Sequence, residues 1–400
     1  MYDYAVLWSW AEFAVRWLHV ITAIAWIGSS FYFIALDLGL HRDRNLATGA
    51  DGEEWQVHGG GFYHIQKYLV APANMPDGLV WFKWESYATW LSGFALLAIV
   101  YYLGADYYLI DRNIADLTRF QAIAISIASL GFGWLAYNQL CKWFVNADQT
   151  LLMIALFGVL VAMSYFYAQV FTGRAALLHL GAFTATIMSA NVFAIIIPNQ
   201  KIVVADLVAG RRPDAKYGKI AKQRSTHNNY LTLPVIFLML SNHYPLAFAS
   251  SANWIIAALV FLMGVTIRHW FNTQHARKGA PYWTWGATVV LFLIIAWLST
   301  APMFQTGQAE VTRLSAVPGF AEAHAAVQNN CAMCHAADPA WPGLHWPPKG
   351  VMLETEAQVT RHALDIYLQA GISHAMPPAN ITNMPEDDRQ AIVAWFRATR

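Results

Sequence analysis

The stretch Cys-Ala-Met-Cys-His at 331–335 holds two of the three cysteines of the chain, followed at once by a histidine. Two thiols at this spacing can form thioethers with the vinyl groups of a haem, and His335 can then ligate its iron. A zinc site needs further ligands at suitable spacing, and the chain has no second C-x-x-C. A redox dithiol would need a βαβ setting, which the surrounding sequence lacks. Cys331, Cys334 and His335 therefore predict one covalently bound haem c.

The second axial ligand of such a haem is a methionine or a histidine further along the chain. Met376 precedes two prolines, which restrict its loop. Met384 also precedes a proline, but it stands at the start of the last predicted helix, where packing or capping is its expected role. The weaker candidates are Met352, His345, His362 and His374. We predict His335 and Met376 as the iron ligands, and methionine ligation raises the reduction potential, which suits a domain that accepts electrons.

Long uncharged segments precede this motif. The chain is 57% apolar and only 12% charged, whereas soluble domains carry about 25% charged residues. A helix that crosses a membrane needs about 20 apolar residues. Segments of that size are 17–36, 86–105, 120–141, 149–173, 175–200 and 279–309, and the longer uncharged stretch 225–267 is broken at 241–245 and 250–253. Because 225–267 predicts two helices joined by a turn, the sequence predicts eight transmembrane helices.

The distribution of basic residues orients these helices, because cytoplasmic loops are enriched in Lys and Arg. Alternating crossings place 15 basic residues in the loops 39–84, 142–148, 198–228 and 268–278. They place 4 in the opposite segments before the C-terminal part of the chain. We therefore expect a multi-pass protein of the bacterial inner membrane with both termini in the periplasm.

The composition of the chain changes after the last uncharged segment. Residues 302–314 form a short polar stretch, and the part that follows has the character of a soluble domain. The final segment, MPEDDRQAIVAWFRATR, predicts a helix with Pro385 and acidic residues in its first turn. We predict an all-α protein: a polytopic membrane bundle of eight transmembrane helices in 1–301, a linker in 302–314, and a small class I-like cytochrome c domain in 315–400, which the topology places in the periplasm.

Three histidines fall within the predicted transmembrane helices: His19 in the first, His179 in the fifth and His243 in the sixth. The predicted topology places all three near the periplasmic surface. An ionisable residue in a membrane helix is a functional candidate, and the three together offer ligands for a haem b near the haem c. The alternative is that they form hydrogen bonds between helices, which is common in membrane proteins. The sequence leaves both possibilities open.

Several segments resemble the membrane-bound bacterial urate oxidases (urate hydroxylases) that carry a C-terminal cytochrome c domain. The resemblance covers essentially the whole chain. Besides the C-terminal haem motif, the segments that carry it are RWLHVITAIAWIGSSFYF, HGGGFYHIQKY, LVWFKWESYATWLSG, THNNYLTLPVIFLMLSNHYP and IRHWFNTQH. It implies that urate is dehydrogenated and hydrated to 5-hydroxyisourate in purine catabolism. It also implies that cytochrome c takes the electrons in place of dioxygen, and we expect a downstream soluble cytochrome c or a terminal oxidase to accept them next.

A urate site must suit a flat anion with carbonyl and ring N–H groups, so it needs a cation, amide groups, an aromatic face and a base. The segments on the predicted cytoplasmic side supply each of these types. The candidate catalytic residues there are His64, Lys67, Lys83, Glu85, His227 and Asn228. Interface aromatics and inner lysines are also ordinary features of membrane proteins. A second possibility therefore stays open, in which urate binds on the periplasmic side beside His19, His179 and His243.

The sequence fits other functions less well. A haem–copper oxidase needs a set of helix histidines that includes an adjacent pair, and the chain has no His-His. A membrane anchor for an electron-carrying cytochrome is an alternative, although one helix would suffice for that purpose. A dehydrogenase for another small substrate is a further alternative. The expected partners are urate, electron acceptors and membrane lipid, and no nucleic acid.

Overall fold

In a computed structural model the chain divides into two compact units, Met1–Phe304 and Gln305–Arg400. The structure describes residues 4–43, 45–69, 71–72, 75–76, 78–112, 114–144, 148–301 and 308–399. Both units are mainly helical.

Long helices build the first unit, and two of them are continued by π-helical residues. In chain order the helices are α1 (Tyr4–Gly39), α2 (Trp84–Leu97, continued by Ala98–Tyr102), the short α3 (Ala105–Tyr108), α4 (Arg119–Trp143), α5 (Gln149–Ala168), α6 (Gly173–Ala190, continued by Asn191–Ile196), α7 (Ile197–Val208), α8 (Ala215–Ser241), the short α9 (Pro245–Phe248), α10 (Asn253–His275) and α11 (Trp283–Thr300). Because α6 runs through its π-helical residues into α7, the unit has eight long helical segments within the described residues.

Several of these helices begin after a Thr or Asp residue whose side chain caps the first turn. Thr118 and Gln121 form a capping box at the start of α4, and Thr172 accepts from the Ala175 amide at the start of α6. The Asp214 carboxylate accepts from the Lys216 amide at the start of α8. Such caps satisfy the amide groups that the first helical turn leaves without partners.

We call the end of the bundle at which α1 begins and α11 ends the cavity end. The hydroxyl of Thr172, before α6, donates to the Tyr108 carbonyl at the end of α3 over 2.7 Å. The hydroxyl of Ser250, between α9 and α10, donates to the Leu298 carbonyl near the end of α11 over 2.9 Å. These bonds join the helix ends and turns that alternation predicts on one side of a membrane.

The opposite end, which we call the hairpin end, collects the other helix termini. Asp37 in the last turns of α1 pairs with Lys67 and, over 3.1 Å, with Lys222 of α8. The amide of Gln223 donates to Gln149 at the start of α5 over 2.6 Å. Consecutive long segments therefore run in opposite directions between the two ends.

Six helical segments within the described residues are long and apolar enough to cross a membrane. They are Leu7–Gly39, Arg119–Trp143, Gln149–Ala168, Gly173–Val208, Asn253–His275 and Trp283–Thr300. The other two predicted crossings correspond to α2, which has only 14 residues before its π-helical continuation, and to α8. The first half of α8 carries Lys216, Lys219, Lys222 and Arg224, which lowers its mean hydropathy.

The break that the sequence predicts within 225–267 is present, because α8 ends at Ser241 and α10 begins at Asn253. The all-α prediction is wrong in one place. Strands β1 (Ala50–His58) and β2 (Gly61–Tyr68) form an antiparallel hairpin in what was predicted to be a loop. Gly59 and Gly60, both at positive φ, make its turn, as a two-residue hairpin requires. A Gly-Gly pair between two strand-like runs was the available signal.

Close helix packing depends on glycine at particular contacts. Gly133 of α4 faces the ring of Phe183 on α6, where an added Cβ would lie 2.3 Å from the ring. Gly264 of α10 faces Pro234 of α8, where an added Cβ would lie 2.5 Å from the proline ring. Small residues at such positions let membrane helices approach closely.

The second unit packs its helices around Trp395, which is fully buried. Its helices are α12 (Gln308–Ser315), α13 (Phe320–Asn330), α14 (Glu356–Arg361), α15 (Ala363–Ile366, continued by π-helical Tyr367–Ile372) and α16 (Glu386–Ala398), with 3₁₀ turns at Pro348–Gly350 and Pro378–Asn380. The final helix that the sequence predicts is α16, which begins after Pro385.

Part of the predicted linker 302–314 is helical. Residues 302–307 lie outside the described residues, but 308–314 belong to α12. Leu314 is buried, and its carbonyl accepts a hydrogen bond from the Trp395 indole over 3.2 Å. Polar composition predicted a linker here, whereas one apolar residue in this stretch packs into the core of the second unit.

Replacing Gly133 by alanine is expected to destabilise the bundle by about 1–3 kcal/mol, because the new methyl group overlaps Phe183. Gly131→Ala, on the same helix with no atom near its added Cβ, is the matched control and is expected to be neutral or slightly stabilising. Thermal unfolding in detergent measures both. Equal melting temperatures for the two variants would contradict this packing.

Candidate functional site

A cavity of about 240 Å³ lies between α1, α2, α6 and α8 at the cavity end of the bundle. Most of its wall is apolar or aromatic, as in sites for small organic ligands. The polar and charged residues of the wall are Glu12, Arg16, His19, Thr89, Tyr101, Tyr108, Arg174, Thr186, Asn242 and His243. Two of the three predicted membrane histidines, His19 and His243, are therefore brought to one cavity.

His19 of α1 is oriented by its neighbours on α2. Its Nδ1 lies 3.1 Å from the Thr89 carbonyl and 3.2 Å from the Ser92 hydroxyl. Because a carbonyl only accepts hydrogen bonds, Nδ1 carries the proton, and Nε2 keeps its lone pair. Gly93 packs against the ring, and an added Cβ there would lie 2.8 Å from the His19 Cε1. His19 therefore presents a basic nitrogen in a fixed orientation.

Two arginines bring positive charge to the cavity wall. Arg16 forms an ion pair with Glu12, one turn earlier on α1. The Arg174 guanidinium, at the start of α6, lies 5.1 Å from the centre of the Tyr108 ring. The Arg174 Nε is buried and has no hydrogen-bond partner among the described residues. The wall can therefore attract an anion.

Further parts of the wall suit a flat polar molecule. The Asn242 Oδ1 is another buried atom without a hydrogen-bond partner in the described part of the chain. The rings of Trp90 and Phe94 stack with centres 5.4 Å apart, and the Trp90 indole donates to Thr186 over 3.1 Å. The cavity thus combines a cation, an amide, aromatic surface and a base.

The structure places His179 and His243 in surroundings that the sequence did not predict. His179 of α6 is fully buried, with Nδ1 2.8 Å from the Ala175 carbonyl and Nε2 2.9 Å from the Ser126 hydroxyl. Both ring nitrogens are engaged, which favours the interhelical alternative for His179. His243 was predicted on a helix, but α8 ends at Ser241 and His243 lies exposed in the following turn.

The predicted catalytic residues of the hairpin are engaged in local pairs. His64 on β2 lies 2.8 Å from Glu53 through its Nε2 and stacks on Trp55, with ring centres 4.1 Å apart. Lys67 on β2 forms an ion pair with Asp37 of α1. These contacts hold the hairpin to itself and to the bundle.

The two predicted catalytic residues near the start of α2 are Lys83 and Glu85. The Lys83 ammonium is 5.5 Å from the centre of the Trp84 ring. Glu85 lies in the first turn of α2, and its buried Oε2 has no hydrogen-bond partner among the described residues. The contacts described for these residues and for the hairpin do not join them in one site.

His227 and Asn228 of α8 belong to a buried hydrogen-bond network. The His227 Nδ1 lies 2.8 Å from the Tyr137 hydroxyl. That hydroxyl accepts from the Asn191 amide over 3.1 Å, and the same amide donates to the Asn228 Oδ1 over 2.9 Å. The Asn228 amide donates to the Met188 carbonyl over 2.9 Å. The network ties α8 to α4 and to the end of α6.

Arg224 completes this network and was missed as a site residue. It is only 3% exposed, and it donates to Asn138 over 2.8 Å and to Asn191 over 3.3 Å. Its guanidinium lies 4.8 Å from the centre of the Tyr137 ring. All three partners are neutral. The sequence counted Arg224 as a loop cation, and Tyr137 and Asn191 lie inside uncharged runs that carried no signal.

A second buried arginine lies between α8 and α10. Arg268 donates to Asn229 over 3.2 Å and to Asn272 over 2.9 Å, and it lies 4.0 Å from the centre of the Phe31 ring. The neighbouring residue Tyr230 reaches in the same direction, with its hydroxyl 3.4 Å from His269. These contacts stabilise the packing of α1, α8 and α10.

The Cys-x-x-Cys-His motif of the second unit has a geometry that fits a haem. The His335 Nδ1 lies 2.9 Å from the Val351 carbonyl, so Nδ1 carries the proton and Nε2 is available to a metal. Burial raises the pKa of the Cys331 thiol to about 11 and also raises the pKa of Cys334.

The two methionine candidates differ in exposure. Met384 is 4% exposed and belongs to the core of the second unit, whereas Met376 is 37% exposed. A ligand must reach away from the core toward the iron, so the exposure of Met376 suits the predicted ligand. Met384 packs, as expected.

The comparisons with known proteins bear on the first unit. The family model described as "Urate oxidase N-terminal" matches residues 5–299. No curated protein and no solved structure matches the chain. The match extends over α1–α11 and ends before the second unit begins.

Replacing Tyr137 by phenylalanine removes the partner of the His227 Nδ1 without changing the volume of the ring. An unpaired buried polar group costs about 1–3 kcal/mol, so we expect the melting temperature in detergent to fall. Tyr165→Phe, in which the half-exposed Tyr165 ring packs edge-on against Trp254, is the control and should leave it unchanged. An unchanged melting temperature for Tyr137→Phe would show that the network contributes no stability.

Proposed function

The chain belongs to the urate oxidase N-terminal family, and from this membership we propose that its membrane bundle oxidises urate at the cavity end. Urate and one water give 5-hydroxyisourate, and two protons and two electrons leave. The oxygen of the new hydroxyl group comes from water, and an electron acceptor takes the place of dioxygen.

The cavity between α1, α2, α6 and α8 is the observation that carries this proposal. Its walls hold the types of group that a flat heterocyclic anion requires. Arg174 attracts the anion, whereas the charge of Arg16 is balanced by Glu12. A charge-assisted hydrogen bond from a guanidinium to a urate oxygen is stronger than a neutral one. Asn242 has an unused amide oxygen for a ring N–H, and Trp90 supplies aromatic surface.

His19 is the proposed base. Electron removal from urate makes its ring N–H groups more acidic, and attack by water releases a second proton. The Thr89 carbonyl keeps the proton of the imidazole on Nδ1, so Nε2 can take a proton at the cavity wall. Gly93 leaves room for the imidazole beside α2.

A covalently bound haem c in the second unit would supply the one-electron acceptor. Cys331 and Cys334 would attach this haem, and His335 and Met376 would ligate its iron, which accepts one electron at a time. Support comes from the free Nε2 of His335 and from the exposure of Met376.

We propose one haem c in the second unit and a structural role for His179. Both ring nitrogens of His179 are hydrogen-bonded within the protein. These contacts support a structural role for His179.

We propose eight crossings of a bacterial inner membrane, with both termini and the haem unit in the periplasm. Six apolar helices and the alternation of the long segments support this topology. The basic loops all belong to the hairpin end, as the positive-inside rule requires of a cytoplasmic face. A periplasmic soluble cytochrome c or a terminal oxidase would then accept the electrons.

The network around Arg224 is the second candidate for the urate site. A buried guanidinium whose partners are neutral amides and a ring is a place for an anion, and His227 and Asn228 lie beside it. The cavity is the better candidate, because it has space for a ligand.

Urate-driven reduction of the haem by the purified protein tests the proposal. Arg174→Gln is expected to raise KM for urate about 10- to 100-fold, from the loss of a charge-assisted hydrogen bond. His19→Gln is expected to lower kcat about 10²- to 10⁴-fold through loss of the base. Arg112→Gln, which removes an exposed cation at the same end, is the control and should behave as wild type.

The content of covalent haem must stay at the wild-type level in each variant. If His227→Gln loses urate oxidation while His19→Gln keeps it, urate binds at the Arg224 network and the cavity assignment is wrong. If the wild-type protein carries haem but urate does not reduce it, the chain is an electron-carrying cytochrome on a membrane anchor or acts on another substrate.

Alkaline phosphatase fusions test the proposed topology, because the enzyme is active only in the periplasm. A fusion after Arg400 is expected to be active, and a fusion near Lys216 is expected to be inactive. The fusion near Lys216 can be exchanged for a cytoplasmically active reporter as a control for expression. The reverse pattern of activity would overturn the orientation.

A further inference from the structure

Arg389 of α16 is a charged residue inside the core of the second unit. It is only 4% exposed, on a helix whose neighbouring buried residues Ile392, Val393 and Phe396 are apolar. Burying a guanidinium costs several kcal/mol unless its donors are well used. An apolar side chain at this helix position would fill the core without that cost, so the charge calls for an explanation.

Three hydrogen bonds from the Arg389 guanidinium go to residues in or near the loop that carries Met376. Nη1 donates to the Ala370 carbonyl over 2.5 Å and to the Met376 carbonyl over 2.9 Å. Nη2 donates to the Asn380 Oδ1 over 3.0 Å, and that atom also accepts from the Met384 amide over 3.1 Å. One guanidinium thereby joins the segment before Met376, Met376 itself and the turn after it.

Met376 is held at both of its backbone groups. Its N–H donates to the Gln369 carbonyl over 2.9 Å, and its C=O accepts from Arg389. Its side chain remains 37% exposed. The backbone is therefore fixed while the thioether stays free for a ligand role.

The loop needs such restraint because its backbone is strained. Four non-glycine residues between 374 and 383 have positive φ: His374 (53°), Ala379 (50°), Asn380 (52°) and Asn383 (53°). Side chains rarely adopt this region, and each such residue costs free energy unless its surroundings impose the conformation. The Arg389 guanidinium donates a hydrogen bond directly to the side chain of one of these residues, Asn380.

We propose that Arg389 is the positioning residue that holds the thioether of Met376 at the haem iron. This inference rests on the proposed haem c. A planar guanidinium can serve three acceptors at fixed angles, which a lysine ammonium cannot reproduce. The role of Arg389 is to keep the loop 374–383 in the conformation in which Met376 reaches the metal.

Spectra of the oxidised, full-length protein in detergent test this role. Methionine–iron coordination gives a weak near-infrared band, and Met376→Ala should abolish it while Met384→Ala keeps it. Arg389→Gln is expected to keep covalent haem, as counted by the pyridine haemochrome, and to lose most of the band. Arg389→Lys should lose the band as well, because lysine keeps the positive charge but lacks the planar guanidinium that donates to three acceptors. Arg397→Gln, an exposed arginine on the same helix, is the control and should keep the band.

Imidazole binding supplies a second measurement in a milder variant. Asn380→Gly removes one acceptor of Arg389 and tolerates the positive φ. Imidazole competes with Met376 for the iron, so its apparent affinity is expected to rise about tenfold or more when the loop is held less firmly. Asn383→Gly, in the same loop and also at positive φ, is the matched control and should bind imidazole as wild type does.

The outcomes separate this inference from the proposed function. A full-strength band in Arg389→Gln together with unchanged imidazole affinity in Asn380→Gly would overturn the positioning role. An absence of covalent haem from the wild-type protein would instead overturn the proposed haem and, with it, the premise of the inference.

Discussion

Lipid offers no hydrogen bonds, so a polar side chain within a membrane bundle must find its partner on another part of the same protein. This constraint accounts for the central contacts of the first unit. His179 is held between the Ala175 carbonyl and Ser126, and Tyr137 joins His227 to Asn191. The His179–Ala175 bond lies within α6, and the other bonds link segments that are distant along the chain. The polar residues therefore determine which helices are neighbours, and glycines such as Gly133 let those helices approach.

Within the described residues, buried polar atoms without a hydrogen-bond partner occur at both ends of the bundle. At the hairpin end they include the Oε2 of Glu85, whereas Asp37 there pairs with both Lys67 and Lys222. At the cavity end Arg174 and Asn242 each keep a buried polar atom without a partner among the described residues. Buried polar groups are nearly always paired in proteins, and exceptions often mark functional positions. Arg174 and Asn242 both line the cavity that is proposed as the urate site.

In the second unit, backbone contacts hold the two residues that are proposed as haem ligands. The Val351 carbonyl selects the tautomer of His335, and Arg389 holds the carbonyl of Met376. In both cases a backbone contact fixes the residue and leaves the atom that would ligate the proposed haem iron free of that contact.

What the sequence by itself determined are the features that depend on residues close together in the chain. They include the Cys-x-x-Cys-His motif, the apolar segments long enough to cross a membrane, and the break between α8 and α10. The hairpin was also encoded locally by Gly59 and Gly60, but the surrounding membrane pattern obscured it. Only the tertiary structure decided the partners of the polar residues. Helical periodicity indicates which face a residue occupies but not which helix that face meets, and His227 finds Tyr137 across 90 positions of sequence. For the same reason the sequence treated Arg224 as a loop cation and grouped His179 with His19, whereas packing buries Arg224 in a network and separates the two histidines.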